Sequence, residues 1–394
     1  MSPLAIIFVT VFIDLLGFGI VIPLLPFYAE RFGADAFRIS LLAASFSLAQ
    51  FIFVPIWGRW SDFVGRRPII LIGLLGSFLS YLLFGMAQSL AWLFVARAFA
   101  GIAGGTIATA QAYVADSTTP ENRAKGMGLV GAAFGLGFIF GPALGGFLSK
   151  WGAATPALFA SLLSLVNFGA AWFLLPESLK RAPGRGPAPR VSRVEALRRA
   201  LARPCLPTLL LIFFVVTAGF AGFESTFALF SEHRHGFDAE TIGYLFAFIG
   251  IIMAVVQGGL VGRIVRLVGE GPLVPFGILA VAVGLGLLPS SHSRVALYTA
   301  LGIIAVGMGL VGPSIAALVS KWSDPSDQGG MLGLTQSFGS LARIVGPAWG
   351  GFLFTRYGMS APYVSSAAIM LAAFGVSLVG LRRPTCATPP GGSG

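Results

Sequence analysis

Apolar residues run through this chain in stretches of about twenty, separated by short polar breaks. Stretches of that length match the hydrocarbon core of a bilayer, and they lack the one-sided stripe of a helix packed on a water-soluble core. The pattern predicts helices over 4–28, 38–57, 68–87, 91–114, 125–148 and 155–176, then over 205–231, 239–262, 272–289, 294–319, 329–353 and 360–381. The fold class that follows is an all-α membrane protein with twelve transmembrane helices.

The chain also repeats itself. Gly-Pro-Ala-Leu-Gly-Gly-Phe-Leu at 141–148 returns as Gly-Pro-Ala-Trp-Gly-Gly-Phe-Leu at 346–353, and Gly58-Arg59, Gly65 and Pro68 return as Gly262-Arg263, Gly269 and Pro272. Pro120 after helix 4 returns as Pro325 after helix 10. Six helices per repeat is an even number, so the two copies keep one orientation and form parallel repeats, an organisation of transporters. The expected domains are a six-helix half over 1–176, a basic linker over 177–204, a second half over 205–382 and a disordered tail over 383–394.

Composition excludes whole classes of function. Only 10% of the 394 residues are charged, against about 25% in a soluble domain, and mean hydropathy is +0.86. The longest polar stretch, Glu177 to Pro204, is too short for an ATP-driven motor, and none of Lys125, Lys150, Lys180 and Lys321 completes a phosphate loop. The net charge of +11 would suggest nucleic acid in a soluble protein. Here 18 of the 26 basic residues fall after even-numbered helices or in the tail and 6 after odd-numbered ones. That bias places both termini and the linker in the cytoplasm and gives no reason to expect a nucleic-acid partner. Within the linker, Val191 to Ala202 reads as a basic amphipathic helix on the membrane surface, where it would meet anionic lipid. Cys205 and Cys386 imply no disulfide framework. The first apolar run has no basic flank and contains Asp14, so a retained helix is expected rather than a cleaved signal.

Four charges remain inside apolar runs: Asp14, Arg97, Glu224 and Arg343. Each costs about 2.5–3.5 kcal/mol at the centre of a spanning helix, which makes it a functional candidate by default. A dry cavity favours the protonated form of a carboxyl, and a nearby arginine opposes that. Asp14 and Glu224 are therefore the proton-coupling candidates, Glu224 ahead because no basic residue stands beside it in sequence. Arg97 is expected to modulate Asp14, and Arg343 to hold Glu224 or join substrate binding. Neutral candidates for the substrate lining are Gln50, Gln111, Tyr113, Asn167, Gln257 and Gln336, with Phe220, Phe227 and Phe246 as an adaptable aromatic wall. His233 and His235 lack further ligands, so neither a metal nor another cofactor is expected, and nothing supports covalent catalysis or an enzyme.

Gly58-Arg-Trp-Ser-Asp62-Phe-Val-Gly65-Arg66-Arg67-Pro68 resembles the loop 2–3 signature of the major facilitator superfamily. Arg97 with Gly101, Gly104 and Gly105 resembles the helix 4 motif of that family. The run Gly131 to Gly146, containing Gly141-Pro142, resembles the helix 5 antiporter motif of its drug:proton exporters. Asp14 to Pro26 is similar to helix 1 of the twelve-helix branch, nearest to bacterial tetracycline efflux proteins. The resemblance implies the major facilitator fold in the inner membrane of a bacterium, with helices 1, 4, 7 and 10 around a central cavity. It implies a cytoplasmic latch of Asp62, Arg66 and Arg67 with Asp116, and a functional bend at Gly141-Pro142. Independently of family, Gly58 and Gly65 permit a tight turn between two helices, and Asp62 is placed within a turn of the helix 3 start, where the dipole favours a negative charge. Tetracycline exporters carry further membrane acids in helices 3 and 9. This chain has none in Leu71–Ala87 or Leu273–Pro289, so the resemblance implies efflux without fixing tetracycline as cargo.

The function expected is proton-coupled export of amphipathic or lipophilic small molecules, multidrug or tetracycline-like, by a monomer in contact with substrate, protons and membrane lipids. Two alternatives belong to other classes: a proton symporter for a metabolite and a translocase for lipid or lysolipid. The antiporter motif and the largely apolar interior weigh against the symporter, because a sugar demands a dense polar lining.

Overall fold

A computed structural model describes residues 3–179, 193–203, 205–323 and 328–381. Its long helices are α1 (Pro3–Glu30), α2 (Ala36–Val64), α3 (Arg66–Gly85), α4 (Leu90–Ser117), α5 (Pro120–Leu148), α6 (Thr155–Leu174), α7 (Leu206–His235), α8 (Ala239–Val268), α9 (Leu273–Ser290), α10 (Arg294–Lys321), α11 (Gln328–Tyr357) and α12 (Ala361–Gly380). Among the described residues eleven helices are long and apolar enough to cross a membrane. The 30-residue α11 supplies the twelfth. There is no strand among the described residues. Among the described residues the linker contains one short helix, Arg193–Leu201; Lys180, Arg181, Arg185 and Arg190 lie outside the described residues.

Helix interiors depart from regularity where the sequence dictates. Pro23 and Pro26 tighten α1 into a 3-10 turn at Ile22–Leu24. Gly104 and Gly105 interrupt α4 between Ala103 and Thr106. A wider π turn over Val256–Leu260 interrupts α8 at Gln257-Gly-Gly, a departure concentrated at functional positions in proteins generally. Side chains cap several helix starts: Asp35, Ser89 and Ser293 accept from backbone amides three residues on. Asp238 does the same for α8 through the amide and hydroxyl of Thr241, and those hydrogen bonds hold its carboxyl below the usual range. The capping energy is therefore present above about pH 4 and lost as pH falls through the depressed folded value. Asp238→Ala should cost about 1 kcal/mol in thermal unfolding at pH 7, and the deficit should vanish in acid.

The chain divides into two compact units, Met1–Ala188 with Phe227–Phe248, and Pro189–Thr226 with Ile249–Gly394. In the first, Ile7, Val11 and Leu15 of α1 pack with Ile70 and Leu74 of α3 and with Ala110 and Tyr113 of α4. Helix α5 crosses α1 through glycine: a Cβ on Gly137 would meet Leu15, one on Gly141 would meet Gly19 at 2.6 Å, and one on Gly145 would meet Ile20. Small residues let two backbones approach where lipid supplies no hydrophobic drive. The second unit repeats the device, Gly346 seating against Ala218 and Gly350 against Gly222. Cys205 is buried and disulfide-bonded. Cys386 lies outside the described residues.

Candidate functional site

In the first unit Asp14 of α1 accepts a hydrogen bond from the Ser77 hydroxyl of α3 at 2.8 Å. Tyr81 lies one turn beyond Ser77 on the same face, and its ring fills the space left by Gly17, where a Cβ would stand 3.0 Å from Cε2. The Tyr81 phenol is within electrostatic reach of both Asp14 and Arg97. Arg97, 5% exposed, lies over the Phe46 ring at 4.6 Å and the Phe18 ring at 6.0 Å. An acid, a cation and three aromatic rings thus gather from α1, α2, α3 and α4. Gln50 is half-buried on α2 with its amide nitrogen against Gly104.

In the second unit Glu224 of α7 acts electrostatically on Arg343 of α11. The neighbour missing along the sequence exists in space, 119 positions away. Phe220 and Phe223 pack together on α7, and Phe223 meets the Tyr363 ring edge-on.

Other lining candidates divide by exposure. Gln111, Gln257 and Gln336 are exposed, Gln257 within the π turn. Tyr113 and Asn167 are buried and bonded to backbone, Tyr113 donating to the Pro176 carbonyl at 3.0 Å and Asn167 to that of Thr10 at 2.9 Å. Phe227 and Phe246 are buried against each other in the first unit. These four are thus engaged in contacts inside the first unit.

The loop 2–3 signature folds differently from expectation. Gly58 lies inside α2, which continues to Val64, so Gly65 alone makes the turn, at φ +115°. Asp62 is in the last turn of α2 and pairs with Arg66, Nη1 to Oδ1 at 2.5 Å. The Arg66 Nε donates to Asp116 Oδ2 at 2.8 Å. The carboxylate at the start of α3 is Glu177: its two oxygens accept from the amides of Arg66 and Arg67 at 2.9 and 3.1 Å. A Cβ on Gly65 would collide with the same carboxylate. Arg67 donates to the Trp172 carbonyl at 2.6 Å, its guanidinium over the indole. Gly141 and Pro142 sit inside α5, with the Pro142 carbonyl against Gly243.

The corresponding positions of the second unit hold Glu270 and Lys321, 204 and 205 residues after Arg66 and Asp116, with their charges exchanged and Nζ 2.7 Å from the carboxylate. That ammonium holds the Glu270 carboxyl below its usual range.

Sequence reasoning missed Ser77, Tyr81 and Glu177. The Ser77-x-x-x-Tyr81 spacing marks a polar face on an otherwise apolar helix and could have suggested partners for Asp14. Glu177 carried only the weak signal of an acid directly after helix 6.

The sequence profile of the Major Facilitator Superfamily matches residues 7–320 and 260–393. Multidrug resistance protein 2 of Bacillus subtilis is 31% identical over 375 residues, 94% of this chain and 92% of that protein. The class E tetracycline resistance protein of Escherichia coli is 32% identical over 352 residues, 88% and 86% of the two chains. The crystal structure of the human organic anion transporter MFSD10 (TETRAN) superposes with a TM-score of 0.72 at 28% identity, covering 95% of this chain and 98% of that one. Spanning helices, parallel repeats, the loop 2–3 signature and these relatives agree: the chain is an integral membrane protein belonging to the Major Facilitator Superfamily of transporters.

Proposed function

We propose that this transporter exports amphipathic or lipophilic small molecules in exchange for protons, by alternating access across a bacterial inner membrane, with both termini in the cytoplasm. The observation that carries the reading is the Asp14 cluster, an acid hydrogen-bonded to a neutral hydroxyl at membrane depth beside a cation packed on aromatic rings. Because its direct partner is the neutral Ser77 hydroxyl, the Asp14 carboxyl can gain and lose its proton without breaking an ion pair. In the first unit Phe18 and Phe46 offer apolar contact and the exposed Gln111 a hydrogen bond; in the second, Phe220 offers apolar contact and the exposed Gln257 and Gln336 offer hydrogen bonds. The names of the bacterial relatives, multidrug and tetracycline resistance proteins, support a drug as cargo. Protonation of Asp14 would favour one state and cargo binding the other, since a ligand shifts an equilibrium only by its differential affinity. The Arg66 latch would close the cytoplasmic side in one of those states, and Glu224 with Arg343 would respond as a second charged centre.

The test is a panel of cationic, neutral and anionic dyes in an efflux-deficient strain carrying this chain. Exclusion of at least one dye, abolished by an uncoupler, is the expected result; exclusion unaffected by the uncoupler would defeat proton coupling. A second reading, export of amphipathic organic anions, is favoured by Arg97 over two aromatic rings. Preferential exclusion of the anionic dyes would select it.

A further inference from the structure

We infer that the linker helix and the cytoplasmic ends of α7 and α11 form a binding site for one anionic phospholipid of the inner leaflet. A cavity of about 230 Å3 lies there within the second unit, lined wholly by apolar side chains that include Leu197, Leu201, Leu210, Phe214, Phe338 and Leu341. It falls below the roughly 300–1,000 Å3 of a drug-sized pocket. It opens outward, because Leu201 is 60% exposed and Leu341 42% exposed. An open apolar groove running along the first turns of a spanning helix suits part of an acyl chain.

Charge at the rim selects the headgroup. Arg198 is adjacent to Leu197 and one turn before Leu201, is exposed, and has no hydrogen bond or ion pair among the described residues. Arg199 pairs with Glu195 at 2.9 Å and so offsets the acid of this helix. Arg203 donates to the Trp322 carbonyl at 3.0 Å, tying the end of the linker to the body of the unit. Ala200 is fully buried, which fixes the face that the helix turns inward. An uncommitted guanidinium beside an apolar slot complements a phosphate attached to an acyl chain. A zwitterionic headgroup would gain less, since a basic residue near an anionic surface contributes about 1 kcal/mol, a factor of about five. The inference requires the membrane assignment but not the proton-exchange reading.

Native mass spectrometry of the purified full chain, offered equal amounts of dioleoylphosphatidylglycerol and dioleoylphosphatidylcholine, tests it. The expected result is one retained phosphatidylglycerol preferred about fivefold, parity in Arg198→Gln, and the preference kept in Arg198→Lys. Leu201→Gln should lower retention of both lipids, while Arg263→Gln, an exposed arginine elsewhere in the same unit, should change nothing. Parity in the unaltered protein, an unchanged preference in Arg198→Gln, or an equal loss in Arg263→Gln would overturn the site. A doubled mass that neither lipid displaces would assign the groove to a second copy and overturn it equally.

Discussion

Asp14→Asn is expected to reduce proton-driven dye transport in inverted vesicles to the level of empty vesicles, while leaving the protein folded and able to exchange dye down its own gradient. The argument rests on what the substitution preserves. Asparagine keeps an oxygen to accept from Ser77 and nearly the same volume beside Tyr81, so only the exchangeable proton is removed. Counterflow of dye needs no net proton movement and should survive, which separates coupling from binding. Glu224→Gln should behave differently. It removes the carboxylate charge that acts on the half-buried Arg343, so the guanidinium loses favourable electrostatics at membrane depth. Its first visible effect should be a lower melting temperature, relieved when Arg343→Met is added. Proton-driven transport that persists in Asp14→Asn would remove Asp14 from the coupling role.

Glu177→Ala should both destabilise the protein and impair the proposed latch at Arg66. It strips the acceptor from two backbone amides at the start of α3, and loss of a helix cap costs about 1–2 kcal/mol. Arg66 is the first residue of that helix, so any drift of its backbone also moves the guanidinium shared by Asp62 and Asp116. Glu177→Gln keeps an acceptor but loses the charge assistance and should lie between. Gly65→Ala should be worse than either, combining a left-handed backbone with a collision against the same carboxylate. Combining it with Glu177→Ala should then cost less than the sum, because the two residues touch. Strict additivity in transport and melting temperature would show that Gly65 and Glu177 act separately.

Most of the architecture was legible because lipid imposes a simple rule: a span must be long, apolar and internally hydrogen-bonded. Gly137, Gly141 and Gly145, four residues apart, mark the close partner face of α5 for a similar reason, since few other residues permit that approach. Local geometry was harder. Nothing in Gly58 distinguishes a turn from a helix interior, and α2 continues through it to Gly65. Asp62 was placed at a helix start by proximity along the chain, yet the cap comes from 111 residues beyond Arg66. The same blindness to distant neighbours hid Ser77 from Asp14, whereas Arg343 was already an expected neighbour of Glu224. Pairing of buried polar groups is decided in three dimensions, whereas hydropathy is additive along one. The amides illustrate the limit: Asn167 serves the backbone of α1 while Gln257 lies exposed in a π turn, and no sequence property separated them.

The exchanged ion pair makes the two repeats unequal in salt. In the first, Arg66 is nearly enclosed, its side chain 9% exposed and shared between two acids. In the second, Lys321 is 53% exposed and, among the described residues, pairs with Glu270 alone. An exposed pair is worth about 0–1 kcal/mol, and ions screen it over a distance of about 8 Å at physiological strength; the enclosed guanidinium is largely shielded from them. Ionic strength therefore acts as a one-sided control, loosening the α8–α9 corner against α10 while the α2–α3 corner holds. The reversal of sign and burial makes the two corners separately addressable by salt.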